Sequence, residues 1–486
     1  MSEEVTLKRL SDTLWEIPRE GDMLVPGRIY GDDEIIGHLR GNKNTLKEWD
    51  ALLQVKNVAC LPGIMTASYA MADIHPGYGF CIGGVGAFSV DEGIVSVAGV
   101  GFDCNCGVRV MKTDLSIGDV TPKKEDLANA LYRDIPAGLG STGSIRLSKR
   151  DIDKVLIKGA VFAVNQGFGE EEDLEYCEEQ GAIKGAKPEN VSDKAKQRQF
   201  RQVGTLGSGN HYLEVQVVEE IFDTEAANAY GICKDQVLIS IHCGSRALGH
   251  QIGTDYLPIL EKASRKYKIP IRERELVCAP IKSEEGQRYL SAVNGGINCA
   301  FANRQVLGHL ARKCFARVLS ASEDSIRVLY DVGHNTAKIE THTVNGRKTE
   351  LLVHRKGVTR AFGPGCTDVP ERYQKVGQPV FVGGTMGTSS YILKGTARAM
   401  EETFGSTIHG AGRALSRHEA KKRWNGKEII HSLAQKGIIV KGHSISSVAE
   451  EAPGAYKDVN RVVGVMHKAG VNLKVARVRP VICVKG

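Results

Sequence analysis

The stretch Val237-Leu238-Ile239-Ser240-Ile241-His242-Cys243-Gly244-Ser245-Arg246 is an apolar, β-branched run that ends on a histidine, a cysteine and a glycine. Such a run reads as a buried strand, and the glycine lets the chain turn sharply beside the histidine. The same grammar recurs far away in the chain. Ile326-Arg327-Val328-Leu329-Tyr330 continues through Asp331-Val332-Gly333 to His334-Asn335. Gly207-Ser208-Gly209-Asn210-His211 turns into a strand through Val215-Gln216-Val217-Val218. Ile94-Val95-Ser96-Val97-Ala98-Gly99-Val100 reads as a strand that feeds Gly101-Phe102-Asp103-Cys104-Asn105-Cys106-Gly107. Histidine, cysteine and aspartate at strand-end loops are what a metal site assembled from distant segments requires. Ligand loops so widely spaced predict one large interwoven α/β (α+β) domain over residues 1–486.

Within it, residues 1–60 read as a small N-terminal cap, in which Trp15, Ile17 and Pro18 lead to a polar helix near 45–55. Residues 61–486 are expected to form the main body, where strands alternate with helices. Its longest helix is expected over 283–317, with Leu290, Val293, Ile297, Ala300, Phe301, Val306 and Leu310 at helical spacing. Gly295-Gly296 predicts a kink or break in it. Further helices are expected over 123–134, 152–166, 254–267, 395–404 and 458–469, before a closing strand Val475–Val484.

Composition excludes several classes. Of 486 residues, 42% are hydrophobic and 25% charged, the balance of an ordinary globular chain. The 55 glycines and 15 prolines suit a loop-rich α/β protein rather than a disordered one. No apolar run approaches the roughly 20 residues that cross a bilayer. Met1-Ser2-Glu3-Glu4-Val5 lacks the opening of a secretion signal, so a cytoplasmic protein without a membrane partner is expected. Twelve irregularly spaced cysteines fit reduced thiols rather than a disulfide framework. A net charge of +7 permits a polyanionic partner without proving one.

Asp103, Cys104 and Cys106 offer soft and hard donors within one loop. On a straight strand Asp103 and Cys106 would not converge, so a metal reading needs the turn that the flanking glycines permit. Taken alone, both cysteines read as small buried hydrophobes. His211, His242 and His334 at comparable strand ends shift that balance, although a lone histidine is more often packed or capped than a ligand. Five donors exceed one tetrahedral site, and two metals sharing a thiolate is the natural extrapolation. The donor types by themselves favour zinc. His250 reads as structural or as a support to the ligands.

Thr407-Ile408-His409-Gly410-Ala411-Gly412-Arg413 leads into a predicted basic helix with Arg413, Arg417 and Lys421 on one face. A histidine at a helix start tends to be neutral, hence a nucleophile or base. The basic stripe suits phosphates, with a solvated face balanced by Glu419 as the plainer reading. The basic segments 194–201 and 354–360, with Arg477 and Arg479, read as solvated surface. The loop Gly383-Gly384-Thr385-Met386-Gly387-Thr388-Ser389-Ser390 suits a nucleotide but is unspecific, and no phosphate-loop, dinucleotide or His-Glu-x-x-His motif occurs.

These blocks, with Leu61-Pro62-Gly63-Ile64, His75-Pro76-Gly77-Tyr78-Gly79-Phe80, His354–Phe362, Glu450–Lys457 and Val484-Lys485-Gly486, resemble the RtcB family of RNA-splicing ligases from about residue 5 to the carboxyl end. The resemblance implies an RtcB-like fold, with central β-sheets around a buried dinuclear metal site. It implies a monomeric enzyme dependent on GTP and two Mn²⁺ ions. Such an enzyme joins RNA 2′,3′-cyclic-phosphate or 3′-phosphate ends to 5′-hydroxyl ends in tRNA splicing and RNA repair. By motif, His409 would take GMP as a phosphoramidate, and Asp103, Cys106, His211, His242 and His334 would hold the metals, leaving Cys104 a bystander. Asn210, His211, Tyr212, Leu213, Glu214, His334, Asn335, Gly383, Gly384, Thr385, Met386, Ser390, His409, Gly410, Ala411, Gly412, Tyr456 and Lys485 fall where the family contacts the guanylate. Arg198, Arg246, Arg413 and Arg417 are the candidates for gripping RNA phosphates, and an archease activator is a candidate partner. The family usually carries Ile at position 104 and Cys at position 408, where this chain has Cys104 and Ile408. Two competing readings remain: a two-metal phosphodiesterase for cyclic-phosphate RNA, and a non-catalytic RNA-binding or metal-storage protein.

Overall fold

The computed structural model describes residues 5–41, 50–138, 140–143 and 145–486. Among these, strands and helices build a mixed α/β architecture around two large sheets. One sheet runs in the order Ile326–Gly333, Gly107–Ser116, Gln236–Cys243, Tyr212–Ile221, Asn472–Lys485, Ser390–Gly395, Pro379–Val382, with Ile439–Gly442 parallel to Asn472–Lys485. The other runs Lys8–Arg9, Leu14–Ile17, Gly27–Tyr30, Ser68–His75, Ile82–Ser89, Arg347–Lys356, Asn335–Val344. The three strands before residue 60 thus form one edge of this second sheet.

The strand that opened the sequence reading is buried on both faces, which its unbroken apolar run requires. Val237, Ile239, Ile241 and Cys243 pack with Leu307, Ala311 and Phe315 of the helix Glu284–Leu319. Leu238 faces the other way, among Val108, Val110 and Leu329. Register then fixes the site: Gly107 lies opposite both Gly333 and Cys243, and Tyr212 opposite His242. Four neighbouring strands therefore bring Cys106, His211, His242 and His334 to one end of one sheet. His334 is also the single residue between Ile326–Gly333 in one sheet and Asn335–Val344 in the other.

Several local expectations are corrected. The helix Glu284–Leu319 runs through Gly295-Gly296 without a break. Those glycines serve close packing instead: a Cβ on Gly296 would lie 3.0 Å from Cys104 Cβ, and one on Gly295 3.4 Å from Leu156. Only Ile94–Ser96 of the apolar run before Asp103 is a strand, paired with Cys278–Pro280. Ser96 then caps the one-turn helix Val97–Val100 by accepting from Ala98 N at 3.2 Å. The polar helix placed near 45–55 lies partly outside the described residues; the described part is Ala51–Val58, capped by Asp50. His409 does not stand at a helix start. It follows the short strand Ser406–Ile408, paired with Val358–Arg360, and the basic helix begins only at Arg417 after its cap Ser416. Arg413 therefore lies outside that helix. All twelve cysteines are unpaired. Among the described residues no helix is long and apolar enough to cross a membrane.

Candidate active site

Asp103 and Cys106 converge because the loop between them turns. Cys106 N donates to Asp103 O at 3.1 Å, and Asn105 adopts a left-handed φ of 52°. Gly101, at φ 85°, is needed for a second reason: a Cβ there would fall 2.0 Å from Lys356 Nζ. The Cys106 thiol lies 3.4 Å from His211 Nε2 and 3.2 Å from His242 Nε2. His242 Nε2 is 3.2 Å from His334 Nε2, and His211 Nε2 is 2.9 Å from Asp103 Oδ2. The donor atoms form two groups, Asp103/Cys106/His211 and Cys106/His242/His334, each within 4.8 Å and joined at Cys106. Cys104, by contrast, is buried against Gly296 and belongs to neither group.

The donor set fits metal binding on its own chemistry. Two of the histidines have the outer partner that a ligand needs: His211 Nδ1 bonds Leu206 O at 3.0 Å and His242 Nδ1 bonds Asn210 O at 3.1 Å. A carbonyl accepts from Nδ1–H, which aims each Nε2 at the cluster. Against burial, Cys106 and Asp103 hold His211 well above the ordinary histidine range, so an arriving ion must also displace the proton on its Nε2. Burial, then neighbouring imidazoles, holds His242 and His334 well below the ordinary histidine range, so both rings are neutral. Burial tends to raise Asp103, but His211 and Arg246 bring it down to about 2, an ionised carboxylate. Burial and the Asp103 charge push the Cys106 thiol up to about 12, so an arriving ion must displace its proton.

Beside the cluster, the His334 and His409 ring centroids are 4.7 Å apart. His409 is held by Asp73 of the strand Ser68–His75, whose Oδ2 is 2.7 Å from His409 Nδ1 and 3.1 Å from its backbone nitrogen. Asp73 is fully buried. The pair leaves Nε2 of His409 free. Asp73 escaped the sequence reading; its signal was a carboxylate inside the apolar run Ala70-Met71-Ala72-Asp73-Ile74, since a buried carboxylate needs a partner. Lys457 fastens that strand by donating to the carbonyl oxygens of Ile74 and, at 3.4 Å, Ala72. The segment 354–360, read as solvated surface, is instead buried: Lys356 lies beside Asp103 and Cys106, and burial lowers it to about 8 against their opposing charge.

A pocket opens from this point. Asn210, Tyr212, Glu214, His242, Gly383, Gly384, Thr385, Met386, His409, Gly410, Ala411, Gly412, Tyr456 and Lys485 line it, together with Val108 and Glu451. Of the residues the resemblance assigned to the guanylate, Leu213 instead faces the core, as strand alternation demands, and Ser390 Oγ accepts from Gly384 N at 3.0 Å behind the loop. His211, His334 and Asn335 belong to the metal end; Asn335 Oδ1 accepts from Gly357 N at 2.8 Å. Burial raises Glu214 to about 7 although Lys485 opposes it. Glu451, not foreseen, accepts from Arg413 at 3.3 Å, from Arg417 at 3.4 Å and from the Tyr456 hydroxyl. Arg413 also stacks over Tyr456, 4.8 Å from its ring centre. Arg246 and Arg417 flank the loop of Gly207 and Gly209, where added Cβ atoms would meet their guanidiniums. Arg198 bonds Gln251 at 2.8 Å on the helix Ala247–Lys266.

Fold and site together define an α/β protein with two metal-competent clusters sharing one cysteine, set beside a carboxylate-held histidine. A family model described as tRNA-splicing ligase RtcB matches residues 54–486. Relatives bearing the name tRNA-splicing ligase RtcB are similar over their whole length. The Thermococcus kodakarensis protein is 50% identical over 489 residues, covering 100% of both chains. The Methanococcus maripaludis protein is 49% identical over 485 residues, covering 99% of both. The Archaeoglobus fulgidus protein is 49% identical over 490 residues, again covering 100% of both. The chain belongs to the RtcB family.

Proposed function

We propose that this chain is an RNA ligase of tRNA splicing and RNA repair, joining 2′,3′-cyclic-phosphate or 3′-phosphate ends to 5′-hydroxyl ends with GTP. The observation that carries the reading is His409: its Nδ1 is engaged by Asp73, its Nε2 is free, and it stands 4.7 Å from the cluster histidine His334. Asp73 keeps the proton on Nδ1 and the lone pair on Nε2, the tautomer a nucleophile requires. Nε2 attacks the α-phosphorus of GTP, the bond to the β-phosphate oxygen breaks, and pyrophosphate leaves with its electron pair. Where the RNA ends in a 2′,3′-cyclic phosphate, water first adds to its phosphorus and the bond to O2′ breaks, leaving a 3′-phosphate and a 2′-hydroxyl. GMP then passes from His409 to that 3′-phosphate, freeing Nε2, and the 5′-hydroxyl displaces GMP to seal the strand.

The residues of the two clusters would hold two Mn²⁺ ions, which compensate phosphate charge when bound. Their thiol and imidazoles also suit zinc, so manganese rests on the family resemblance. Gly383–Met386 and Gly410–Gly412 bring backbone close to a nucleotide, because glycine admits near approach; the N–H groups of Gly384, Thr385 and Ala411 are spent on shaping these loops. Glu214 offers a carboxyl to a base edge. Arg246 and Arg417 suit RNA phosphates by two-pronged pairing, with Arg198 the more peripheral candidate. Arg413, whose Nε, Nη1 and Nη2 are engaged by Leu415 O, Tyr456 and Glu450 O, braces the pocket wall instead. The reading includes a cytoplasmic monomer acting on split tRNA or broken RNA.

The test is incubation of a 2′,3′-cyclic-phosphate RNA and a 5′-hydroxyl RNA with GTP and Mn²⁺, with an archease supplied in a parallel arm. Joined product, and acid-labile GMP on wild-type but not His409→Ala protein, are expected. Opening of the cyclic phosphate without joining or protein labelling would instead identify a phosphodiesterase. RNA binding with no chemistry in either arm would identify a binding protein.

A further inference from the structure

Arg304, on the helix Glu284–Leu319, is fully buried and touches three ligand-bearing segments at once. Its Nη1 donates to Asn105 O at 2.7 Å, one residue before Cys106, and to Cys243 O at 2.8 Å, one residue after His242. Its Nε donates to Asp331 Oδ1 at 2.8 Å, three residues before His334. The second Asp331 oxygen accepts from Arg109 Nε at 2.7 Å, so this carboxylate is clamped between two guanidiniums. A guanidinium is planar and rigid, so these bonds set the spacing of the three strand ends, not merely their presence. The other cluster is held differently: His211 through Leu206 O, and Asp103 through Ser245 Oγ at 3.4 Å. Neither bond involves Arg304.

We propose that Arg304 is a positioning residue for the metal centre, setting the mutual spacing of Cys106, His242 and His334 from the long helix. The proposal rests on the metal-binding part of the reading above. It asks more of Arg304 than core stability. A suitable comparison is Arg312, which is similarly buried on the same helix and paired with Asp173 at 2.5 Å; its one bond to a ligand-bearing strand goes to Ile326 O at 2.7 Å, at the end of Ile326–Gly333 remote from His334.

The experiment is a CoCl₂ titration of metal-stripped full-length protein, following thiolate-to-cobalt absorption, with thermal unfolding recorded on each sample. In folded Arg304→Met, at least one of the two binding steps is expected to weaken by about 10- to 100-fold, the usual cost of losing an outer support. Its absorption band should also shift, because the geometry around Cys106 changes. Arg312→Met should keep wild-type affinity within about twofold on the same reasoning, even where its unfolding temperature falls as far. Arg304→Lys, which keeps the charge but loses the fork, should weaken binding like Arg304→Met, and it decides the matter if the methionine variant does not fold. Unchanged affinity and spectrum in a folded Arg304 variant would overturn the proposal. So would equal weakening in Arg304 and Arg312 variants. Wild-type protein that binds no cobalt and joins no RNA would instead remove the reading of the site itself; wild-type that binds and joins normally leaves any failure with Arg304 alone.

Discussion

Cys106, His211, His242 and His334 are carried by four adjacent strand ends of one sheet, whereas His409 follows a three-residue strand and leads into a glycine loop. The first group is 3–6% exposed and stitched by carbonyls and by Arg304; the His409 side chain is 13% exposed and oriented by one carboxylate from the other sheet. Under the proposed function the contrast has a chemical reason. A metal cluster needs donors fixed relative to one another, and neighbouring strands in register supply that at no added cost in loop order. A nucleophile that is covalently loaded and unloaded needs an open face toward two successive substrates. It is therefore fixed from behind, at Nδ1, and left free in front.

The sharpest way to break this division is to remove one group from each half. Cys106→Ala takes a donor from both clusters and is expected to lower joining on the order of 10³-fold or more, since metal charge compensation is worth several kcal/mol. Calorimetry with Mn²⁺ should show both equivalents weakened. His409→Ala should abolish GMP labelling while leaving the Mn²⁺ isotherm intact. If His409→Ala also loses metal, the two halves are one unit and the division is wrong. Asp73→Asn comes next: an amide no longer holds the Nδ1 proton as the carboxylate does, and labelling should slow on the order of 10²- to 10⁴-fold with metal affinity unchanged.

The two halves also differ in how far the amino-acid sequence disclosed them. The metal half was legible because its signals are local: an apolar run, then a donor, then a glycine. Strand periodicity placed Val237–Ile241 and Ile326–Tyr330 within observed strands, and donor type marked side chains that the fold brings together. The nucleophile half depends on contacts that no local pattern carries. Asp73 is 336 residues before His409, and Glu451 gathers Arg413 and Arg417 from a separate loop. The basic stripe was read as one helix face, yet Ser416 starts the helix after Arg413, because a serine cap outweighs a continuous spacing of charges. Gly295-Gly296 was read as a break for the converse reason: propensity disfavours glycine in a helix, and tight packing on Cys104 and Leu156 overrides it.

The metal end should also have its own acid limit. Glu178 is fully buried, accepts from Gly333 N at 3.1 Å, and pairs with Lys338 at 2.9 Å and Arg360 at 3.2 Å. Burial would raise its carboxyl, but the two cations bring it down to about 2. A lowered folded-state value stabilises above the unfolded value, and that contribution disappears as pH falls from the unfolded value toward about 2. Glu178→Gln should therefore unfold more easily at pH 7, by on the order of 3 kcal/mol. The gap to wild type should close between about pH 5 and pH 2 in acid-denaturation curves. A gap that does not depend on pH would mean that the glutamate acts by packing alone.

The smallest expected effect separates the pocket from the RNA surface outside it. Glu451, a pocket-lining residue, is shared by Arg413, which stacks on Tyr456 of the pocket wall, and by Arg417, whose side chain is 54% exposed beside Gly209. If Arg417 serves one RNA phosphate, Arg417→Ala should weaken binding of all RNA sequences alike. It should also reduce the slope of log affinity against log salt by about 0.7, the value for one contact on a single strand. GMP labelling should hardly change, because Arg413 keeps its bonds to Glu451 and to Leu415 O. Labelling that falls together with RNA affinity would place Arg417 inside the nucleotide half, acting through Glu451. An unchanged salt slope would return it to the plain solvated face from which it was first distinguished.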